Sequence, residues 1–227
     1  LKHLTKNSPK CFVKIKNLSL INHLKKIFSK FEKVVIITGY KSSIFKKLDL
    51  GNNVIFIKNY NFRNTNMVYS LFCAKKFINR DVVICYSDIL FDKSIISKMI
   101  KFNFSHIPLN KNWLNFWKKR MKYKFIKDDA ESLDIKNKYI VEIGQKILDI
   151  YPKYQFMGLL KLKNRDFKFL SNLFKKLKNN NIDMTNFLNY SIINHNFKLK
   201  YFLTKRYWYE IDTVEDYKIV NKLFKFK

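Results

Sequence analysis

The chain has 227 residues, of which 46 are lysine or arginine and 17 are aspartate or glutamate, giving a formal net charge of +29. Apolar residues make up 47% of the chain and aromatic residues 17%, which excludes an intrinsically disordered protein, because so many apolar side chains can form a core. The length suits one large domain or two small ones. A chain this basic first suggests binding to nucleic acid or to an anionic membrane.

The positive charge comes almost wholly from lysine, since only five of the basic residues are arginines. A genome poor in G and C produces this bias, and it places lysine on any exposed surface. Proteins that read nucleic acid favour arginine for its bidentate contacts. We therefore interpret the charge as a solvated surface and expect neither nucleic acid nor a membrane as partner, with a lysine-rich nucleic-acid-binding module as the alternative.

Cysteine and histidine show no metal-binding pattern. The cysteines at 11, 73 and 85 are odd in number and widely spaced, which predicts free thiols in a reducing compartment. The four histidines lack the spacing of a zinc site. No apolar stretch reaches the roughly 18 residues that span a bilayer, and no signal peptide is visible, so we expect a soluble cytoplasmic protein.

The first half of the chain alternates amphipathic helices with short apolar runs, which are typical of buried parallel strands. The predicted helices are 19–31, 42–48, 67–78 and 92–100, and the predicted strands are 33–38, 53–58, 81–86 and 103–109. This alternation predicts an α/β fold: a three-layer α/β/α, Rossmann-like sandwich with a mostly parallel central sheet. In such folds ligands bind at the carboxyl ends of the strands.

The pattern changes after Asn110, where a tryptophan-rich basic segment (113–122) precedes a hairpin (131–143) that turns at 136–138. The remaining predicted elements are strands at 156–162, 198–204 and 207–211, and helices at 166–177, 184–194 and 213–224, the last capped by Thr213. No linker or internal repeat divides the chain. We predict one domain over 1–227 with a small inserted lid or acceptor region.

Polar residues that could take part in catalysis or ligand binding lie at three places. Asp88 directly follows a buried strand, and Glu210 and Asp212 alternate along another strand, so both face the same side. Two acids converging from different strands suit Mg²⁺, which takes oxygen ligands. Lys10 follows Pro9 in a stiff loop and could meet a phosphate as a point charge. As structural alternatives, Asp88 and Asp212 could cap helices, and the aromatic residues nearby could belong to the core.

Seven motifs, taken in order, carry a resemblance: LTKNSPKCFVKI, VVIITGYK, NTNMVYSL, VVICYSDILF, FMGLLKL, DMTNFL and WYEIDTVEDY. Together they resemble the nucleotidyltransferase superfamily that activates sugar phosphates, from Leu1 to about Val220. They are most similar to its bacterial branch of choline-phosphate and 2-aminoethylphosphonate cytidylyltransferases. The resemblance implies a Mg²⁺-dependent nucleotidyltransferase that transfers CMP from CTP to phosphocholine or 2-aminoethylphosphonate and releases pyrophosphate. A sugar 1-phosphate is the alternative acceptor, and the oligomeric state stays open, with a homo-oligomer as one option.

The resemblance also implies roles for single residues. Asp88 and Asp212 match the two magnesium-binding aspartates, and Lys10 matches the phosphate-binding lysine, so these three would form the catalytic group. Asn66 and Ser87, together with Lys10 and Asp88, would bind the nucleotide.

The implied acceptor site comes from a WxxxWxxR…DAE pattern and a following Gln. Its residues are Trp113, Trp117, Arg120, Asp129, Glu131 and Gln155. A tryptophan could contact an ammonium by a cation–π interaction and an acid could pair with it, whereas a sugar phosphate would call for neutral hydrogen-bonding groups. Tyr154 stands where the family usually has a glycine, next to this site.

The family begins with a strand and a glycine-rich loop of the type AAGxGxRL, whose backbone amides hold the triphosphate. Leu1 matches the last residue of that motif, so the 227 residues do not include the strand and the loop. We expect a chain without the loop to bind nucleotide poorly. The functional prediction therefore concerns the intact protein.

Overall fold

The computed structural model describes residues 1–121, 123–147 and 150–225. Lys122, the last residue of the predicted tryptophan-rich segment, lies outside the described residues. The α-helices are α1 (Lys2–Thr5), α2 (Leu20–Phe28), α3 (Met67–Cys73), α4 (Ser94–Lys101), α5 (Trp113–Arg120), α6 (Tyr123–Asp129), α7 (Asn164–Leu177), α8 (Met184–His195) and α9 (Val214–Leu223). The strands are β1 (Lys14–Ile15), β2 (Leu18–Ser19), β3 (Val34–Thr38), β4 (Val54–Lys58), β5 (Val82–Cys85), β6 (Ile89–Phe91), β7 (His106–Asn110), β8 (Glu131–Lys136), β9 (Tyr139–Lys146), β10 (Gln155–Phe156), β11 (Leu159–Leu162), β12 (Lys200–Thr204) and β13 (Trp208–Glu210).

The main sheet has the strand order β5-β11-β7-β12-β9-β8, and β10 pairs with the end of β7. β7 and β12 pair in parallel, and β11 runs antiparallel to both β5 and β7, so β5, β7 and β12 all run in one direction. β3 and β4 form a separate parallel pair, and β6 pairs with β13 in antiparallel fashion.

Two hydrophobic cores lie on opposite faces of this sheet. Leu159 packs into one core, with residues of α2, α4, α5 and α9, whereas the next residue, Leu160, packs into the other, with residues of α3, α7 and α8. Successive strand residues point to opposite faces, so the sheet is covered by helices on both sides. The predicted three-layer α/β fold is confirmed. No helix within the described ranges is long and apolar enough to cross a membrane.

The structure differs from the predicted elements at several places. The run 156–162 is not one strand, because Gly158 has a φ of +84° there and a side chain would approach Tyr86 to 2.7 Å. The helix predicted at 67–78 ends at Cys73 and is followed by a 3₁₀ turn over Lys75–Phe77. Strand β6, helices α1 and α6 and the β1–β2 hairpin are absent from the prediction, since they are too short to show a periodic pattern.

Candidate active site

Strand pairing brings Asp88 and Asp212 together. Asp88 comes directly before β6, and Ile211 and Asp212 come directly after β13, which pairs with β6 through Glu210 and Ile89. The backbone N–H of Ile211 continues the pairing by donating to the carbonyl oxygen of Asp88, over 3.1 Å. The two aspartates are therefore fixed by the sheet and lie at the ends of neighbouring strands.

Lys10 joins the two aspartates. Its Nζ donates to Oδ2 of Asp88 at 2.9 Å and also to Oδ1 of Asp212. Burial opposes the charge on Lys10, but the carboxylates of Asp88 and Asp212 outweigh it and raise the pKa of the ammonium. We call these three residues the lysine–aspartate cluster. It holds two carboxylates within reach of a single cation.

Arg120 supports this cluster from behind. Its side chain is only 2% exposed, and its guanidinium lies 2.7 Å from Oδ1 of Asp216 and 3.3 Å from both Oε2 of Glu210 and Oδ2 of Asp212. Asp216 in turn accepts hydrogen bonds from the backbone N–H groups of Asp212 and Thr213, at 2.9 and 2.8 Å. A buried charge must be paired to persist, so this network fixes the orientation of Asp212.

A cavity of about 380 Å³ opens beside the cluster. We call it the acidic pocket and define it by Trp117, Asp129, Glu131, Gln155, Asp183 and Glu210, all of which line it. Thr185 bridges two of the acids, because its hydroxyl lies 2.8 Å from Oε1 of Glu131 and 3.2 Å from Oδ1 of Asp183. Among the described residues, no basic side chain forms an ion pair with Asp129, Glu131 or Asp183.

The electrostatics of the acidic pocket favour a cationic ligand. Burial raises the pKa of Glu131, and nearby Asp183 and Asp129 raise it further. Burial, with Asp212 as the next cause, raises the pKa of Glu210 to about 8 despite the ion pair with Arg120. A carboxyl group whose pKa is raised by neighbouring acids gains from a positive charge placed beside it.

A cytidylyltransferase is similar to this chain over most of its length. No family model matches the sequence. The chain is 29% identical over 243 aligned residues to CTP:phosphoglutamine cytidylyltransferase from Campylobacter jejuni subsp. jejuni serotype O:2, covering 95% of this chain and 92% of that protein.

Solved structures show the same fold. Inositol-1-phosphate CTP transferase from T. maritima superimposes with a TM-score of 0.76 at 19% identity, covering 98% of this chain and 90% of that one. CTP:phosphocholine cytidylyltransferase from Streptococcus pneumoniae gives a TM-score of 0.73 at 18% identity, covering 99% and 93%. The chain shares its fold with these nucleotidyltransferases. The predicted resemblance to nucleotidyltransferases is thereby confirmed.

The donor set of the lysine–aspartate cluster fits Mg²⁺. Asp88 and Asp212 both reach the Lys10 ammonium, so they also lie close enough to share a metal ion. Within the described ranges, no group of three or more His, Cys, Asp or Glu side chains forms a ready-made metal site. Two carboxylates are nevertheless what Mg²⁺ uses when substrate phosphates and water complete its octahedral shell.

The other predicted site residues lie in different surroundings. Ser87 is exposed beside the cluster. Asn66 caps α3 by accepting from the N–H of Met67 at 2.8 Å, and its amide donates to the carbonyl oxygen of Asn181. Trp113 is 2% exposed, lies in the hydrophobic core and donates its N–H to Pro152. Asp88 and Asp212 do not cap helices, since β6 follows Asp88 and Thr213 caps α9.

Arg120 and Trp113, both predicted at the acceptor site, lie away from the surface of the acidic pocket. The guanidinium of Arg120 is occupied by Glu210, Asp212 and Asp216, and Trp113 does not line the acidic pocket. Both belong to the support behind the site rather than to its surface.

Sequence reasoning did not identify three residues of the site or its support. They are two aspartates and one threonine that lie at or near the first turn of a helix. Asp183 and Thr185 lie in the DMTNFL motif, where Asp183 caps α8, and Asp216 lies in the first turn of α9. The sequence signal for each is that of an ordinary helix cap, so only the fold shows that they also face the site or its support.

Proposed function

We propose that the intact protein transfers CMP from CTP to a small phosphate or phosphonate that carries a cationic nitrogen, such as phosphocholine or 2-aminoethylphosphonate. The observation that carries the proposal is the placement of the acidic pocket directly beside the lysine–aspartate cluster, with Glu210 and Asp212 close to both. By its name, the relative from Campylobacter jejuni uses CTP and a phosphorylated acceptor, which supports the same reaction class for this chain.

The reaction requires positioning and charge neutralisation more than covalent help from the protein. A phosphate or phosphonate oxygen of the acceptor is largely ionised near pH 7, so it needs no general base. That oxygen forms a bond to the α-phosphorus of CTP, while the bond between this phosphorus and the bridging oxygen breaks and pyrophosphate leaves. The protein must therefore hold the two reactants in line and offset the charge that develops.

The chain's own residues divide this work. Asp88 and Asp212 would hold Mg²⁺, which when bound neutralises phosphate charge and helps to orient the reacting groups. Lys10 keeps its proton and can donate it in hydrogen bonds to phosphate oxygens, since its pKa is raised. Arg120 and Asp216 keep Asp212 in place. The acidic pocket would hold the cationic end of the acceptor.

The charge of the acidic pocket also favours a cationic acceptor over a sugar 1-phosphate. A sugar offers neutral hydroxyl groups, which can hydrogen-bond to carboxylates but do not neutralise their charge. An ammonium among Asp129, Glu131 and Asp183 would relieve their mutual repulsion.

The test is a pyrophosphate-release screen of the full-length protein with Mg²⁺. Four nucleoside triphosphates are each paired with phosphocholine, 2-aminoethylphosphonate and several sugar 1-phosphates. We expect turnover with CTP and an amine-bearing acceptor. Turnover with sugar phosphates alone would contradict the acceptor class, and the absence of turnover with every pair would contradict the proposed reaction.

A further inference from the structure

Two residues that line the acidic pocket each carry a buried polar atom without a hydrogen-bond partner among the described residues. Gln155 is 4% exposed and Trp117 is 3% exposed, and both line the pocket. Within the described part of the chain, neither Oε1 of Gln155 nor Nε1 of Trp117 has a hydrogen-bond partner. An unpaired polar atom in a folded interior costs its full desolvation, so such atoms point to a ligand that completes them.

The two atoms have opposite hydrogen-bonding character. Oε1 of Gln155 is an acceptor and requires an N–H or O–H group, whereas the indole N–H of Trp117 is a donor and requires an oxygen. Because Glu131 and Asp183 line the same pocket, the group that donates to Gln155 is best a positively charged N–H group. A trimethylammonium has no N–H and would leave this oxygen unpaired.

One face of the Trp117 ring is covered by Arg120. The guanidinium carbon of Arg120 lies over the Trp117 ring at 5.1 Å from its centre, and the rings of Trp113 and Trp117 are perpendicular, with centres 5.2 Å apart. Recognition of quaternary ammonium groups depends on open aromatic faces. Trp117 therefore offers the pocket its N–H group more readily than its ring face.

From these contacts we propose that the acceptor carries an N–H-bearing cation, such as a primary ammonium, and that Gln155 selects it over a trimethylammonium. The inference rests on the proposed function, because it concerns the acceptor of that reaction. In this arrangement Gln155 accepts from the ammonium, Glu131 and Asp183 supply the negative charge, and Trp117 donates to an oxygen of the same molecule.

The experiment compares phosphoethanolamine with phosphocholine, which differ only by three N-methyl groups, as acceptors for the full-length protein with CTP and Mg²⁺. We expect kcat/KM to be at least about tenfold higher for phosphoethanolamine, because a site built to bind an N–H group rejects an analogue that lacks it. Gln155→Met, which keeps the side-chain length, should reduce this ratio toward one by raising the KM for phosphoethanolamine. Calorimetric binding of both compounds to the CTP complex provides a second readout.

The control variant is Gln145→Met, an exposed glutamine outside the pocket, which should leave the ratio unchanged. A melting temperature of Gln155→Met equal to that of the parent shows that the variant is folded. Equal or better use of phosphocholine by the parent, or an unchanged ratio in Gln155→Met, would overturn the inference while sparing the proposed function. Neither turnover nor binding of either compound would overturn both.

Discussion

The two groups of carboxylates at the site differ in how their charge is balanced. In the lysine–aspartate cluster, Asp88 and Asp212 share Lys10, and Arg120 pairs with Asp212 from behind. In the acidic pocket, Asp129, Glu131 and Asp183 have no such ion pair among the described residues. The first group is paired with cations and held in place, as the proposed catalytic role requires, whereas the second is left in need of a cation, as a binding site for an amine would be.

The largest expected effect is a loss of stability when the ion pairs that hold Asp212 in place are removed. Arg120→Met should lower the free energy of unfolding by about 3–5 kcal/mol, because it leaves Asp216 buried without its counter-charge. Urea unfolding followed by circular dichroism measures this. Arg206→Met is the matched control, since Arg206 is 63% exposed and 4.0 Å from Asp92, and it should change stability by less than about 1 kcal/mol. Equal losses in the two variants would show that the network behind Asp212 has no special role.

The next effect concerns the chemistry of the cluster. Asp88→Asn should reduce turnover by about 10²- to 10³-fold, the size expected when one group that organises charge in the transition state is removed. Initial rates of pyrophosphate release provide the measurement. Glu215→Gln, an exposed acid near Asp212, should retain the parent rate. Full activity in Asp88→Asn would refute the assignment of Asp88 to the metal.

Binding of the acceptor in the acidic pocket should depend on pH. Burial, followed by the neighbouring acids, raises the pKa of Glu131, so this carboxyl takes up a proton at a higher pH than usual as the solution is acidified. The acceptor KM should therefore rise as the solution is acidified, and it should rise less in Glu131→Gln. Steady-state kinetics at several pH values tests this, and a steeper pH dependence in the variant would contradict it.

The smallest expected effect is an increase in stability, opposite in sign to the loss expected for Arg120→Met. A carboxyl whose pKa is raised by folding makes the folded state hold more protons than the unfolded state, so its contribution to stability declines as pH rises through the shifted pKa. Glu131→Gln should thus stabilise the protein by about 0.5–1 kcal/mol at high pH, with a smaller gain at low pH. Asp134→Asn, an exposed acid on the same strand, serves as the control in thermal unfolding. Destabilisation of Glu131→Gln at high pH would contradict the prediction.

The sequence predicted the long elements well because their patterns are periodic. The alternation through Cys85 and the helices α7 and α8 follow from apolar spacing alone, and Thr213 caps α9 as expected. The short strand β6 was not predictable in this way, although its pairing with β13 is what places Asp88 beside Asp212.

The residues of the candidate site likewise divide into those that the sequence predicted and those that it did not. Lys10, Asp88 and Asp212 were suggested by their positions after a proline or a strand, and the structure brings them together. The roles of Arg120 and Trp113 were not predictable, because a basic, tryptophan-rich helix does not reveal which side it buries until its partners are known. The net charge was equally uninformative about the pocket, since a chain with a charge of +29 forms an acidic cavity.

The most direct test of the two roles measures kcat and acceptor KM together, for phosphoethanolamine with CTP, in Asp88→Asn and Glu131→Gln. If the cluster performs the chemistry and the acidic pocket binds the acceptor, Asp88→Asn lowers kcat with little change in KM, and Glu131→Gln raises KM with little change in kcat. If both variants change the same kinetic parameter, or Glu131→Gln leaves KM unaltered, the proposed division between the two groups of carboxylates is wrong.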